Sequence, residues 1–298
     1  MRIVSFLSLV SFALYAAEEV APQDYNLYML EAMDDQDWWG VVDYSTLLLD
    51  RFEDSPFEQD AIFAQAKAYY HLGLYEHADK EFTAYMNDSS GSIHFFEAVE
   101  YKFHIAEAYR SGTRKHLFDS HKLPAIVPAE EDALRIYDEV ITTLPHHEMA
   151  AYSLLQKGRL MAEAEDFKPS IEALQQLIRR FPKQALSAEA FLEINRVYLM
   201  QCRVEGLDSN LLDLAEVNLR RFQQAFPREP RLVEAEKYLA DMQTLFARDL
   251  WEVGNFYDRT HKSVAAQIYY QRLVEKFPQS EPAALAREKL AATTPAAV

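Results

Sequence analysis

The feature that most constrains the fold is a spacing of small and large side chains that occurs three times along the chain. Two small residues stand 12 positions apart, and a large residue follows four positions after the second. Other apolar residues recur at intervals of three and four, which is the pattern of amphipathic helices. The three sets are Ala66, Ala78 and Phe82; Gly158, Ser170 and Leu174; and Gly254, Ala266 and Tyr270. We therefore expect three helical hairpins, in which small residues permit close approach and large residues fill the space between hairpins.

The second helices of five predicted hairpins end in a similar way. Proline lacks an N–H and disfavours a helical conformation in the residue before it, so it marks a helix end. The recurring ends are Leu144-Pro145, Phe181-Pro182, Phe226-Pro227 and Phe277-Pro278, with Phe52-Glu53 as a variant that lacks proline. Ser280 and Pro282 follow the last of these ends and predict the start of a capping helix, with Ser280 as its N-cap. Three more hairpins are partial: Ala133 to Val140 and Ala215 to Phe226 each fit a second helix, and Trp38 to Phe52 fits a degenerate first repeat.

This spacing resembles the tetratricopeptide repeat, a helical hairpin of about 34 residues. The resemblance predicts an all-α fold, a tetratricopeptide-like superhelix (α–α solenoid) of five to six hairpins over residues 18–291. Residues 292–298 are predicted to be a disordered tail. Residues 111–128 interrupt the third hairpin with a basic stretch that is either functional or an inert insertion.

The N-terminus has the form of a secretory signal peptide. Arg2 precedes an apolar stretch, and the small residues Ala16 and Ala17 precede the acidic Glu18. The stretch is short for a membrane span, so we assign residues 1–17 as a signal peptide. No later stretch has 18 consecutive apolar residues. We expect a periplasmic protein without a transmembrane segment after signal removal.

The charge of the chain is strongly negative and unevenly distributed. The formal net charge is −17, and residues 18–60 contain 13 Asp or Glu and a single basic residue, Arg51. This surface repels phosphate backbones, so we predict no nucleic-acid partner. Trp38 and Trp39 lie within this segment. Since they are adjacent and cannot both face inward, one either contacts a partner or packs against the leading helix.

No pattern of catalytic or metal-binding residues stands out in the sequence. The chain has no G-x-S-x-G or G-x-x-x-x-G-K-[ST] motif and no His-Glu-x-x-His run. His146, His147 and Glu148 are adjacent and do not share a helix face. Cys202 is the only cysteine, and we interpret it as a small core residue. We predict that the protein is not an enzyme and has no catalytic residues, cofactor or metal.

The resemblance to the repeat implies protein binding in a groove lined by the first helix of each hairpin. Such a lining would suit an extended peptide or a helix. The positions that the resemblance assigns to it are Phe63, Lys67, Tyr70, His71, Leu155, Arg159, Trp251, Asn255 and Arg259.

Two segments, LLLDRFEDSPFEQDAIFAQAKAYYHLGLYEHADKEF and YYQRLVEKFPQSEPAALA, are similar to the BamD family of outer-membrane assembly lipoproteins. This similarity implies a scaffold at the outer membrane, with assembly subunits or unfolded β-barrel proteins as partners. The sequence departs from that family because it lacks the lipobox cysteine after the signal, so a partner would have to hold it at the membrane. The alternatives are a periplasmic repeat adaptor for cell-wall synthesis or division, and an accessory subunit of an enzyme.

Overall fold

A computed structural model describes residues 20–88 and 93–293 of the chain. The predicted signal peptide therefore lies outside the described residues, as do residues 294–298 of the predicted tail. The chain divides into two compact units, Met1–Ala129 (unit 1) and Glu130–Val298 (unit 2). The domain boundaries drawn from the sequence stay predictions.

Unit 1 is helical apart from one small β-hairpin near its end. Its described helices are α1 (Pro22–Asp34), α2 (Trp38–Arg51), α3 (Glu58–His71), α4 (Tyr75–Asp88) and α5 (Phe95–Arg110). The hairpin consists of strands β1 (Lys115–His116) and β2 (Ala125–Val127), with a 3-10 turn at Leu117–Asp119 between them. The predicted insertion at residues 111–128 is thus an antiparallel hairpin that follows α5.

All regular secondary structure in the described residues of unit 2 is α-helical. Its helices are α6 (Glu130–Thr143), α7 (Glu148–Glu163), α8 (Phe167–Arg180), α9 (Ala185–Val204), α10 (Ser209–Ala225), α11 (Leu232–Arg259), α12 (Ser263–Lys276) and α13 (Glu281–Thr293). Helix α13 continues two residues into the predicted tail. Across the described part of the chain, no helix combines the length and the apolar composition that crossing a membrane requires.

The predicted all-α fold of tetratricopeptide-like hairpins is confirmed. The three hairpins with the best sequence match are the antiparallel pairs α3–α4, α7–α8 and α11–α12. The two helices of a hairpin approach each other most closely at the small residues, as predicted. A Cβ added to Gly158 would lie 2.7 Å from the Leu174 side chain, and one added to Gly254 would lie 2.6 Å from the Tyr270 ring. Ser170 Oγ also donates a hydrogen bond of 2.6 Å to the Gly158 carbonyl across the hairpin.

The turns of four hairpins share one backbone conformation. In each turn, the residue two positions before the second helix has a positive φ. These residues are Gln36 (57°), Gly73 (73°), Glu165 (63°) and His261 (58°). The sequence identified this requirement only at Gly73. The other three side chains adopt the left-handed conformation although it is unfavourable for residues with a Cβ.

Four second helices also end in one common backbone conformation. Phe52, Phe181, Phe226 and Phe277 each directly follow the last residue of a second helix, with φ between −126° and −136° and ψ between 53° and 68°. Each donates its backbone N–H to a carbonyl in the last helical turn. Phe52 adopts the same geometry although the next residue is Glu53. A following proline is therefore not required to end the second helix in this way. Ser280 accepts a hydrogen bond from the Ala283 N–H, so the predicted N-cap of α13 is confirmed.

The first helices of successive hairpins pack side by side within each unit. In unit 1, α1 contacts α3 and α3 contacts α5; in unit 2, α7 contacts α9, α9 contacts α11 and α11 contacts α13. We call the outward side of each row the first-helix face of that unit. This is the surface on which the sequence placed its candidate binding residues.

Candidate protein-binding surfaces on the first helices

The centre of the unit 1 first-helix face is an ion pair between two first helices. Lys67 Nζ of α3 lies 3.1 Å from Glu97 Oε1 of α5. The same ammonium lies 5.5 Å from the centre of the Phe63 ring and 5.8 Å from that of Tyr101, within the range of cation–π attraction. Lys67 is therefore oriented by neighbours on both sides, and its charge is partly compensated.

Aromatic rings surround this ion pair. Tyr70 and Tyr101 pack edge to face at 4.9 Å, and His71 stacks on Trp38 of α2 with ring centres 4.0 Å apart. Burial, followed by the charge of Lys67, lowers the pKa of His71, so the imidazole is neutral at pH 7. Burial also raises the pKa of Tyr70 and of Tyr101, so both phenols remain protonated. The face presents aromatic edges, one lysine and one carboxylate.

Two of the predicted contact residues are core residues. Phe63 is 4% exposed and packs against Phe82, Tyr85 and His94. Leu155 is 1% exposed within unit 2. The prediction that these two side chains line a groove is wrong, because both point into the helix packing rather than outward. The partner-binding role of the other seven positions stays a prediction.

Charged side chains form the first-helix face of unit 2. Arg159 of α7 donates to Glu193 Oε1 from Nε (3.0 Å) and Nη2 (2.8 Å), and to Glu189 Oε1 from Nη2 (2.5 Å). Glu193 Oε2 accepts from Arg196 Nε at 2.6 Å. Burial disfavours the charged guanidinium, but the hydrogen bonds and charges of Glu193 and Glu189 outweigh it and raise the pKa of Arg159. Arg159 therefore joins two neighbouring first helices.

The remaining predicted residues lie at the C-terminal end of α11. Tyr270 of α12 donates a hydrogen bond of 2.9 Å to Asn255 Oδ1, and its ring lies 5.4 Å from that of Trp251. Trp251 and Asn255 are half-buried by these contacts, whereas Arg259 is exposed. Arg259 is thus the predicted position of this group with the most accessible side chain.

Helices α5 and α9 contribute residues that the sequence analysis did not assign. Glu97, Glu100, Tyr101 and His104 of α5 line a surface cavity of about 350 Å³. On α9, Glu189, Glu193 and Arg196 form the network with Arg159. Neither helix belongs to a well-matched hairpin, so the repeat spacing provides no register for them. A search for charges opposite to Lys67 and Arg159 one hairpin further along the chain could have found Glu97 and Glu193.

Histidine and cysteine contribute to packing in the part of the chain that the structure describes. No group of three or more His, Cys, Asp or Glu side chains there is arranged to hold a metal ion. His71, His77, His94 and His121 each pack against an aromatic ring. Cys202 is 3% exposed, and burial together with the charge of Asp208 raises the pKa of its thiol to about 11. The thiolate is therefore disfavoured at neutral pH, as expected for a core cysteine.

The sequence profile of the tetratricopeptide repeat family matches residues 152–183, which contain most of the α7–α8 hairpin. No curated protein sequence gives a significant match. Among solved structures, a repeat protein of Bacteroides fragilis is 10% identical over 92% of this chain and all of its own, with a TM-score of 0.43. One from Parabacteroides merdae is 11% identical over 91% and 97%, with a TM-score of 0.38. MamA of Desulfovibrio magneticus is 13% identical over 72% and 95%, with a TM-score of 0.37.

Because each of these TM-scores is below 0.5, we base the fold assignment on the hairpin geometry and the repeat match. Hairpin arrays of this kind bind other proteins on extended surfaces formed by successive repeats. The fold therefore supports a protein-binding scaffold.

Proposed function

We propose that the protein is an exported, non-catalytic scaffold that binds other proteins on the first-helix faces of its two units. The observation that carries the proposal is the face around Lys67, where Tyr70, Tyr101 and Glu97 are half-buried on helices α3 and α5. The rings provide contact area, and the charged groups fix the orientation of a bound segment. Because the helices are preformed, little conformational entropy of the scaffold is lost on binding.

The proposed location is the periplasm, with the outer membrane as the working site. Two features of the sequence support it: the signal-peptide form of residues 1–17 and the similarity of two segments to the BamD family. Under this proposal the partners are subunits of β-barrel assembly or unfolded barrel proteins. We further propose that one of these partners holds the protein at the membrane.

Two other functions fit the same surfaces. A periplasmic adaptor for cell-wall synthesis or division would use the first-helix faces in the same way with different partners. An accessory subunit would bind an enzyme and support catalysis in that chain. The identity of the bound protein separates the three.

Site-specific photocrosslinking in the native host tests the proposal. A photoreactive phenylalanine analogue replaces Tyr70 on the unit 1 face, and as a control it replaces Lys80, which is exposed on the second helix α4. We expect adducts at position 70, weakened by Lys67→Glu, and none at position 80. Assembly subunits or barrel proteins in the adducts would support the proposed role, and division or cell-wall proteins would favour the adaptor. An absence of adducts at position 70 would contradict binding on this face.

Cell fractionation and intact-mass measurement test whether the protein is exported. After cell fractionation, the intact mass of the protein should correspond to a chain that starts at Ala17 or Glu18 in the periplasmic or membrane fraction. A full-length chain confined to the cytoplasm would contradict it.

A further inference from the structure

The insertion between α5 and the end of unit 1 is a folded hairpin attached to the body of the unit. The Glu76 carboxylate of α4 accepts the His116 backbone N–H at 2.5 Å. The His121 ring lies 5.4 Å from that of Trp39 at the start of α2. Within the hairpin, the Leu117 N–H donates to the Pro124 carbonyl, and Arg114 donates to the Ile126 carbonyl. The surface of the insertion is therefore preformed.

The insertion is the most basic part of unit 1. Three of the nine Lys and Arg residues in positions 1–129 fall within these 18 residues, against a single carboxylate, Asp119. The hairpin thus carries a local positive charge on a unit that is otherwise acidic.

The same hairpin exposes large apolar side chains. Phe118 is 85% exposed, Ile126 51% and Leu123 38%. Phe118 and Leu123 stand on either side of the tip, directly after and before the paired Leu117 and Pro124. Phe118 also has a φ of +54°, a conformation that is uncommon for an aromatic residue. Exposed apolar side chains that lie together, one of them in an unfavourable backbone conformation, are features of contact surfaces.

We propose that the insertion hairpin is a docking element for an acidic segment of another protein, with apolar side chains that cover Phe118, Leu123 and Ile126. Lys115, Lys122 and Arg114 would face the carboxylates of that segment. This surface lies at the turn end of unit 1, where Trp39 and Glu76 hold it, and is distinct from the face around Lys67. The inference therefore goes beyond the proposed function and uses a second surface.

The neighbourhood of the hairpin favours a narrow protein segment over an anionic membrane. Asp34, the last residue of α1, and Asp35 and Asp37 in the turn that follows are all exposed, and Trp39 is the second residue of α2. Asp37 stands two positions before Trp39, whose ring lies 5.4 Å from that of His121. A flat anionic bilayer on the hairpin would therefore come close to negative charge, which is screened only beyond about 8 Å at physiological salt. Repulsion from the acidic turn opposes such contact. A single acidic segment presents fewer negative charges to the turn than a flat anionic surface does, so the same repulsion opposes it less.

Selection from an unbiased phage-displayed peptide library tests the proposal. The library is panned on the chain from Glu18 to Val298 and on a variant with Lys115→Glu and Lys122→Glu. A matched control carries Lys80→Glu and Lys276→Glu, which reverse two exposed lysines outside the hairpin. We expect peptides rich in Asp, Glu and apolar residues to be enriched on the wild type and the control but not on the hairpin variant.

Fluorescence anisotropy with an enriched peptide then measures the contribution of the apolar tip. Phe118→Ala should lower the affinity by about tenfold or more, as expected for an aromatic contact residue. Phe256→Ala, which truncates an exposed phenylalanine in unit 2, should leave the affinity unchanged. Binding should weaken as salt rises, and Lys67→Glu should not alter it, which separates this surface from the first-helix face.

Three results would overturn the inference. The first is an absence of hairpin-dependent enrichment, which would mean that the insertion only compensates the charge of the acidic turn. The second is enrichment of neutral or basic peptides. The third is hairpin-dependent binding to phosphatidylglycerol vesicles without peptide binding, which would assign the surface to a lipid headgroup. Circular dichroism of each variant checks that helicity is retained.

Discussion

The hairpins α3–α4 of unit 1 and α7–α8 of unit 2 have the same architecture and present different chemistry. At the position of closest approach, α3 has Ala66 and α7 has Gly158. The residue that follows is outward in both hairpins and pairs with a carboxylate of the next first helix: Lys67 with Glu97, and Arg159 with Glu193. The inward position thus controls packing, while the next residue determines the chemistry of the surface.

The environments of these two ion pairs differ more than the pairs themselves. Lys67 lies against the rings of Phe63 and Tyr101. Arg159 binds a second carboxylate, and Glu193 binds a second arginine. One kind of scaffold therefore offers an aromatic face in unit 1 and a charged network in unit 2. We expect the two units to bind partner segments of different composition.

The largest difference in stability between variants of the two hairpins should appear where the helices approach most closely, at Gly158 and Ala66. Gly158→Ala places a Cβ 2.7 Å from Leu174 and 3.3 Å from the Ser170 carbonyl, so we expect a loss of about 1–3 kcal/mol in the free energy of unfolding from overpacking. Ala66→Gly in unit 1 removes a fully buried methyl group from a helix, and should lower stability by about 1 kcal/mol. Chemical denaturation of both variants measures these losses. An unchanged midpoint for Gly158→Ala would mean that the two helices separate without cost.

Substitutions at two equivalent turn residues should change the stability of the protein in opposite directions. Glu165 adopts a φ of +63° and Gly73 one of +73° at equivalent positions. Glu165→Gly removes the unfavourable Cβ contact and should stabilise the protein by up to about 1 kcal/mol, whereas Gly73→Ala should destabilise it by a similar amount. The atoms around Gly73 leave room for a methyl group, so its effect would be purely conformational. Thermal unfolding should show shifts of about 2–4 °C with opposite sign; shifts of the same sign would contradict a shared turn geometry.

The smallest effect concerns the two ion pairs. Double-mutant cycles with alanine should give a coupling of about 0.2–1 kcal/mol for Lys67 with Glu97, as in exposed pairs. Arg159 with Glu193 should give a larger coupling, because the contact is double and the Glu193 side chain is only 11% exposed. Raising the salt concentration should reduce the first coupling more than the second. Equal couplings with equal salt dependence would remove the distinction between the two faces.

Much of the backbone could be predicted from the repeat. The small residues at 66, 158 and 254, the aromatic residues that end the second helices and the Ser280 N-cap all have the predicted positions. These features depend on neighbours within about one helical turn or one hairpin, so their spacing is visible in the sequence. The turn residues Gln36, Glu165 and His261 were not recognised, because the packing of the two helices imposes a conformation that their side chains do not favour.

The candidate surface was predictable only in part. The repeat spacing identified Lys67, Tyr70, His71 and Arg159 on outward positions of first helices. It placed Phe63 and Leu155 on the same surface, whereas both are buried. A spacing of three and four residues marks the side of a helix. It does not tell how far a neighbouring helix extends over that side.

The sequence by itself determined the hairpin repeat, the places where its helices end and the acidic character of the chain, since these follow from local spacing and composition. The tertiary structure decided which outward side chains meet. Glu97 lies 30 residues from Lys67 and Glu193 lies 34 from Arg159, and only the packing of successive first helices brings these charges together. It also showed that residues 111–128 form a hairpin on the body of unit 1, because the contacts to Glu76 and Trp39 come from helices distant in the sequence.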